Sequence, residues 1–196
     1  MLEMRQPTQT LMDVDTFLEF LETVQDEARR FELVEGVIVE MTPPSMGHGH
    51  FAGRIYGKFF VYLEKNPIGL PFVDNVGYRL DSKTIFVPDV SFVSQEHLII
   101  PLPRISPVAP DLAVEVLSPS NTFKEILFKI ESYLRYGTKM VWIIHPEDEV
   151  VNVWRVMPDG SLNKRTFTKE DTLSGEDVLP NFTLPVSDIF NLKIEI

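Results

Sequence analysis

The segment DLAVEVLSPSN, residues 111–121, constrains the fold more than any other stretch of this chain. The apolar residues on both sides of Glu115 are typical of a short buried strand. Glu115 lies in the middle of that strand, and a glutamate is almost never fully buried unless it is paired or binds a metal ion. The fold must therefore bring a cation to the centre of a buried strand.

The helical spacing of apolar residues predicts three helices along the chain. The first begins after a cap at Asp13 or Asp15. The second extends over 49–63, after the break at TPPS, and the third over 122–136, where Gly137 ends it.

Runs of strand-forming residues separate these helices. The predicted strands are a hairpin over 31–41 that turns at Glu35-Gly36, then 72–80, 85–93, the strand of Glu115, 140–145 and 149–156. A proline-rich loop is expected over 101–110, and the tail from 159 predicts short strands and turns that close the sheet. No repeat or linker interrupts this order, so we expect a single α/β domain over residues 1–196.

Composition excludes several classes of protein. The 196 residues include no cysteine, which excludes disulfides, thiolate zinc sites and cysteine nucleophiles. No run of about eighteen apolar residues occurs, and the N-terminal residues lack a signal-peptide pattern, so we expect no membrane association and a cytoplasmic location. The net charge of −11 counts against a protein that coats nucleic acid, although residues 121–139 are mildly basic.

Two further acidic residues occupy positions where a charge is costly. Asp89 follows Pro88 inside IFVPDVSFV, and Glu32 lies inside FELVEG. Mg²⁺ prefers oxygen ligands and keeps several waters, so the carboxylates of Asp89 and Glu115 suffice to hold it. A divalent ion with a lysine nearby stabilises the negative charge of a phosphoryl group under attack. The acids therefore predict a site for phosphoester hydrolysis.

Five segments, in this order, resemble the Uma2 family, also called DUF820, of the PD-(D/E)XK or restriction-endonuclease-like superfamily. They are FELVEGVIVEMTPPSMGHGH, VPDVSFV, AVEVLSPSN, FKIESYLRYG and VWIIHP, and they extend from about residue 13 to about residue 156. The resemblance implies a mixed β-sheet flanked by α-helices, with extra C-terminal strands. It also implies a nuclease that binds Mg²⁺ or Mn²⁺ through Asp89 and Glu115.

The chain departs from the superfamily signature at one position. The signature places a lysine two residues after the acid, on the same strand face. That residue is Leu117 here, and the resemblance points instead to Lys129 on the next helix, with Lys124 as the alternative. Glu32 matches an early acidic position and would serve as a further ligand or water-orienting group.

Four residues are expected to contact the substrate. They are His48, Ser118, Ser120 and Lys124. His48 would contact a phosphate or a water molecule, with His50 as the alternative in a loop of uncertain register. The segment 118–121 is most simply the entry to the third helix, capped by Ser120 or Asn121. The amide groups at that helix entry would also hold a phosphate beside the metal.

Each site residue also has a structural interpretation. Glu115 would form a buried ion pair with Lys129 or an arginine, and Asp89 would cap a turn or satisfy loop amides. Lys129 would pair with Glu125, four residues earlier on the same helix.

We therefore expect a metal-dependent phosphodiesterase that acts on DNA rather than RNA, in a protein that forms a homodimer. The alternatives are a catalytically inactive member of the same fold that acts as a binding or structural subunit, and an enzyme that hydrolyses a small phosphoester.

Overall fold

The computed structural model describes residues 11–26, 28–73 and 76–191. The helices are α1 (Val14–Thr23), α2 (Met46–Lys65), α3 (Phe123–Arg135) and α4 (Val186–Phe190). The first strands are β1 (Arg30–Val34), β2 (Val37–Met41), β3 (Gly69–Val73), β4 (Gly77–Arg79), β5 (Ile85–Phe86), β6 (Val90–Ser94) and β7 (Ile105–Ser106). The remaining strands are β8 (Leu112–Val116), β9 (Met140–His145), β10 (Val150–Val156), β11 (Leu162–Phe167), β12 (Thr172–Ser174) and β13 (Thr183–Pro185).

Two large sheets and one small sheet form the β-structure of the described residues. The six-stranded sheet has the order β11-β10-β9-β8-β6-β3, and the five-stranded sheet has the order β2-β1-β5-β4-β7. Strands β8 and β9 are parallel and are joined by α3, whereas β6 is antiparallel to β8. This mixed α/β architecture confirms the expected fold class.

The central strands of the six-stranded sheet, β6, β8 and β9, are buried on both faces. On one face, Phe59 of α2 packs with Trp142 of β9 and Phe182 of the C-terminal segment. On the other face, Ala113 and Val141 pack with α3 and with residues of the five-stranded sheet. Side chains alternate along a strand, so Glu115 shares the face of Ala113 and points toward α3 and the five-stranded sheet.

The helix at 122–136 is confirmed, but its cap is neither Ser120 nor Asn121. Thr122 is the N-cap, because its hydroxyl accepts a hydrogen bond from the amide of Glu125, and the Glu125 carboxylate accepts one from the amide of Thr122. This reciprocal pair is a capping box, which fixes the helix start more firmly than a single serine.

Helix α2 begins earlier than its apolar spacing predicts. Ser45 caps it by accepting a hydrogen bond from the amide of His48, and the helix starts at Met46 rather than at residue 49. His48 therefore lies in the first turn of a helix, and the expectation of a loop histidine was wrong.

Both strands predicted between 72 and 93 are in fact divided between two sheets. The segment 85–93 separates into β5, in the five-stranded sheet, and β6, in the six-stranded sheet. Pro88 has no amide hydrogen for a β-ladder, so the chain leaves one sheet there and enters the other. The segment 72–80 separates into β3 and β4, and its residues 74–75 lie outside the described part of the chain.

The expectations for the loop at 101–110 and for the tail were only partly right. The loop contains the short strand β7, which pairs with β4. In the tail, β11 extends the six-stranded sheet as expected, but β12 and β13 pair only with each other, and α4 was not expected. Buried apolar residues explain this arrangement, because Leu173 and Leu184 pack into the core instead of extending the sheet edge.

None of the described helices has the length and apolar character needed to cross a membrane. The range 1–196 proposed for a single domain includes residues outside the described part of the chain, so it stays a prediction.

Two glycines, Gly69 in β3 and Gly57 in α2, give opposite expectations for stability. A β-carbon at Gly69 would overlap the carbonyl oxygen of Val93 and the ring of Phe92, whereas one at Gly57, inside α2, would meet nothing within 4 Å. We expect Gly69→Ala to lower the free energy of unfolding by about 1–3 kcal/mol, through overpacking. We expect Gly57→Ala to raise it by up to about 1 kcal/mol, because alanine is the better helix former. Urea denaturation of both variants measures the two changes, and a Gly69→Ala protein as stable as wild type would contradict this packing.

Candidate active site

A cleft of about 720 Å³ opens where the two large sheets meet. Its walls come from β1 and β2, the first turns of α2, the crossing between β5 and β6, the end of β8, and α3. The cleft is lined, among others, by Glu32, His48, Asp89, Glu115, Ser118, Ser120 and Lys129. The fold therefore brings residues that are up to about 97 positions apart in sequence to one cavity.

Lys129 connects two buried carboxylates that come from different sheets. Its ammonium group lies 2.8 Å from Oε1 of Glu32 and 3.3 Å from Oε1 of Glu115. The side chains of Glu32 and Glu115 are only 5% and 9% exposed, so both charges need a partner. The ammonium group also lies 5.3 Å from the centre of the Phe86 ring, in a cation–π arrangement.

Glu32 and Glu115 each accept a second hydrogen bond. Oε1 of Glu32 accepts one from the amide of Val87, at 2.9 Å, just before the chain crosses between sheets. Oε1 of Glu115 accepts one from the hydroxyl of Tyr133, at 2.9 Å. Tyr133 lies one helical turn after Lys129, so the same face of α3 supplies both donors to Glu115.

Asp89 lies at the crossing between the sheets, next to β8. Its Oδ2 accepts a hydrogen bond from the amide of Val116, at 2.7 Å, and lies 3.2 Å from Nε2 of His48. Because the amide belongs to a neighbouring strand, Asp89 does not act as the cap of its own turn. The interpretation of Asp89 as a turn cap was therefore wrong, and the backbone amide that its carboxylate does satisfy belongs to a strand rather than to a loop.

Burial and neighbouring charges shift the protonation of these groups. Burial raises the pKa of Glu115 from 4.5 to about 7, with smaller upward contributions from the charges of Asp89 and Glu32, and Lys129 opposes the rise. For Lys129, burial acts to lower the pKa, but the charges of Glu115 and Glu32 outweigh it and raise the pKa above its ordinary value. Lys129 is thus a permanent cation at physiological pH.

The pKa values of two neighbouring side chains, His48 and Tyr133, are raised as well. The hydrogen bond to Asp89 raises the pKa of His48, although burial opposes that rise. Burial raises the pKa of Tyr133 well above its ordinary value, and the charge of Glu115 adds to the effect. Tyr133 therefore keeps its proton and acts as a hydrogen-bond donor.

The donor set at this position fits a divalent ion bound by few protein ligands. Across residues 11–26, 28–73 and 76–191, no group of three or more His, Asp or Glu side chains is arranged to hold a metal ion. Burial is the main cause of the raised pKa of Glu115, and the charge of Asp89 adds to it, so the two carboxylates interact electrostatically. Among the described residues, hydrogen bonds reach only Oδ2 of Asp89 and Oε1 of Glu115, which leaves one oxygen of each carboxylate for a cation. Two carboxylates and several waters suit Mg²⁺.

The remaining predicted residues do not all reach this site. Ser118 and Ser120 line the cleft, but their hydroxyls lie 2.8 Å apart and share a hydrogen bond. Lys124 is exposed and does not line the cleft, because it lies in the solvent-facing first turn of α3. His50 is exposed too, and it contacts the ring of Phe51.

The predicted pairing of Lys129 with Glu125 was wrong. The Glu125 carboxylate hydrogen-bonds to the amide and the hydroxyl of Thr122, while Lys129 turns inward to Glu32 and Glu115. The predicted ion pair between Glu115 and Lys129 is present. Tyr133 received no role from the sequence, although its position four residues after Lys129 places both on one helix face.

The raised pKa of Glu115 makes stability depend on pH in a defined window. A carboxyl with a folded-state pKa above its unfolded value binds more protons when folded, so stability falls as pH rises from about 4.5 to about 7. We expect the metal-free wild-type protein to lose roughly 3 kcal/mol from this group across the window, since one pKa unit corresponds to about 1.4 kcal/mol. Glu115→Gln should lack this loss.

Urea denaturation of both proteins in EDTA, from pH 5 to pH 8, measures the difference. Equal slopes of unfolding free energy against pH in wild type and variant would contradict the assignment.

Comparison with known proteins agrees with this architecture. A family model described as "Uma2: Putative restriction endonuclease" matches residues 14–187. Five solved chains match, and one of them is described as a "putative nuclease belonging to DUF820" from Anabaena variabilis ATCC 29413. That structure is 23% identical, with a TM-score of 0.75 over 88% of this chain and 95% of its own, and it confirms the fold. No curated protein matches. Because the family model covers most of the sequence, this chain belongs to the Uma2 family.

Proposed function

We propose that this protein is a nuclease that hydrolyses phosphodiester bonds of DNA with Mg²⁺ or Mn²⁺. The observation that carries the proposal is the convergence of Asp89, Glu115 and Lys129 in one cleft. Glu115 lies in β8, Asp89 immediately precedes β6, the antiparallel neighbour of β8, and Lys129 reaches Glu115 from the helix that follows β8. The description of the family as a restriction endonuclease supports a nucleic-acid substrate, and DNA over RNA.

The charge of the cleft supports a requirement for a cation. Among the described residues that line it, the carboxylates are Glu32, Glu40, Asp89, Glu115 and Glu125. The only lysine or arginine side chains among them are Arg30 and Lys129. A phosphodiester carries a negative charge and would be repelled by this surface, because desolvated like charges interact strongly. A bound divalent ion would make the local charge of the cleft positive, so that the phosphate could bind.

The protein side chains have distinct roles in this proposal. Asp89 and Glu115 would hold the metal ion, which when bound lowers the pKa of a water molecule and stabilises charge on the phosphoryl group. Tyr133 and Lys129 hold Oε1 of Glu115, so its other oxygen is fixed in direction. Lys129 stays positively charged and would offset negative charge that develops on the phosphate. Glu32 would orient Lys129.

His48 and the serines define the entrance to the site. His48 stands beside Oδ2 of Asp89 and lines the cleft, where it would contact the phosphate or a water molecule. Ser118 and Ser120 line the same wall, and their hydroxyl pair would contact the substrate backbone. The proposed homodimer and the cytoplasmic location stay predictions.

A catalytically inactive binding subunit is the second candidate. It is favoured by the pairing of Lys129, because an ammonium group satisfied by two carboxylates is complete without a metal ion or a substrate. In that case the cluster of Glu32, Glu115 and Lys129 would only join the two sheets. Measured hydrolysis separates the two candidates.

Substitution of two lysines on α3 tests the proposed function. We expect Lys129→Gln to reduce the rate of DNA hydrolysis by about 10²–10³-fold, because a charge that stabilises the transition state is removed. Lys124→Gln should stay within about threefold of wild type, since that exposed side chain does not line the cleft. Cleavage of supercoiled and linear DNA in Mg²⁺ and in Mn²⁺ measures both rates.

Asp89→Asn is the companion variant, because asparagine is isosteric with aspartate and removes only the charge. It should lose hydrolysis while its thermal unfolding stays close to that of wild type. Wild-type rates in both Lys129→Gln and Asp89→Asn would rule out this site, and absence of hydrolysis in the wild type would favour the binding subunit.

A further inference from the structure

A second pocket, of about 410 Å³, adjoins the carboxylate cleft. Its volume falls within the range of small-molecule sites, about 300–1,000 Å³. His48, Ser118 and Asn121 line both cavities, so the second pocket starts where the proposed phosphate site ends. A molecule held at Asp89 and Glu115 would have its neighbouring chemical group at the mouth of this pocket.

The walls of the second pocket suit a flat, neutral ring. Phe51, Leu117, Pro119 and Pro146 supply apolar surface. Among its described lining residues there is neither a lysine nor an arginine, whereas Glu147 and Asp148 contribute two carboxylates from the turn between β9 and β10. This charge excludes a second phosphate and favours a ligand whose N–H groups donate hydrogen bonds.

His145, at the end of β9, carries its ring proton on one identifiable nitrogen. The hydroxyl of Thr166 donates to Oδ1 of Asn152, so the amide group of Asn152 donates to Nε2 of His145, at 2.7 Å. The imidazole proton therefore resides on Nδ1. Burial lowers the pKa of His145, which keeps the ring neutral at pH 7. The residues that line the pocket thus include one N–H donor, in His145, and two carboxylates, in Glu147 and Asp148.

We propose that the second pocket binds an unstacked nucleobase that carries an amino group, next to the scissile phosphate. The proposal rests on the proposed function for its biological substrate, and it names the part of that substrate that the pocket selects. The amino group of cytosine donates to a carboxylate, a pairing that proteins use to recognise this base. The adjacent acceptor of the base receives the Nδ1 proton of His145.

Thymine presents the reverse pattern of donors and acceptors. Its O4 would face the carboxylates of Glu147 and Asp148 without a proton between them, and its N3–H would face the N–H of His145. A matched pair of hydrogen bonds to a base discriminates by about 1–3 kcal/mol, which corresponds to roughly 10- to 100-fold in affinity. The pocket should therefore reject thymine.

Nucleosides test this proposal without metal and without hydrolysis, because they carry no phosphate. We expect deoxycytidine, titrated into ¹⁵N-labelled protein in EDTA, to shift the imidazole signals of His145 and the amide signals of residues 147–149 saturably. Thymidine should bind at least ~10-fold more weakly. The double variant Glu147→Ala/Asp148→Ala should bind both nucleosides equally weakly. The control Glu64→Ala/Glu96→Ala removes two exposed acids that line neither cavity, and it should behave as wild type.

Two outcomes would overturn the inference. One is equal binding of deoxycytidine and thymidine by the wild type, or binding of neither. The other is an unchanged preference for deoxycytidine in the Glu147→Ala/Asp148→Ala protein. The proposed function is tested separately, because nucleoside binding does not require hydrolysis. A protein that selects deoxycytidine but does not hydrolyse DNA would support the base pocket and contradict only the nuclease assignment.

Discussion

The ammonium group of Lys129 lies between the buried carboxylates of Glu32 and Glu115, and the centre of the molecule depends on this contact. Glu32 belongs to the five-stranded sheet, Glu115 to the six-stranded sheet, and Lys129 to the helix between β8 and β9. One cation therefore joins three elements. Removing one partner of a buried ion pair costs about 3–5 kcal/mol, because the remaining charge is left without compensation. A buried carboxylate in a strand is costly unless a cation lies next to it, so the position of Glu115 requires a lysine at the site.

Sequence patterns predicted most of the elements, and the patterns together with the family resemblance named residues that the fold brings together in the cleft. The charge of Glu115 inside an apolar strand predicted a nearby cation, and the resemblance to Uma2 proteins directed attention to Lys129 instead of the more local Lys124. The path of the chain around Pro88 could not be predicted in the same way. Two strands that look continuous in sequence are divided between sheets, since the choice of sheet depends on tertiary contacts and not on local propensity. Tyr133 was missed because a buried tyrosine on an apolar helix face is indistinguishable from a core residue in sequence.

In the proposed function, the two adjoining cavities would divide the recognition of one polymer between them. The acidic cleft would accept a phosphate only together with a cation, and the second pocket, with Glu147 and Asp148, would accept a neutral base. Both cavities meet at His48 and at the 118–121 segment, where β8 ends and α3 begins. An acidic protein could in this way act on nucleic acid, because the proposed metal ion would supply the positive charge that lysines and arginines supply in most nucleic-acid-binding proteins.

Titration calorimetry with Mn²⁺ measures the proposed metal site without assuming a substrate. A metal ion held by Asp89 and Glu115 predicts saturable binding by the wild-type protein, loss of that binding in both Asp89→Asn and Glu115→Gln, and unchanged binding in Glu64→Gln, whose side chain lies outside the cleft. Circular dichroism should show that all three variants are folded. Absence of Mn²⁺ binding by the wild type, or binding that persists in both site variants, would contradict the account and would leave Glu115 and Lys129 as a structural ion pair alone.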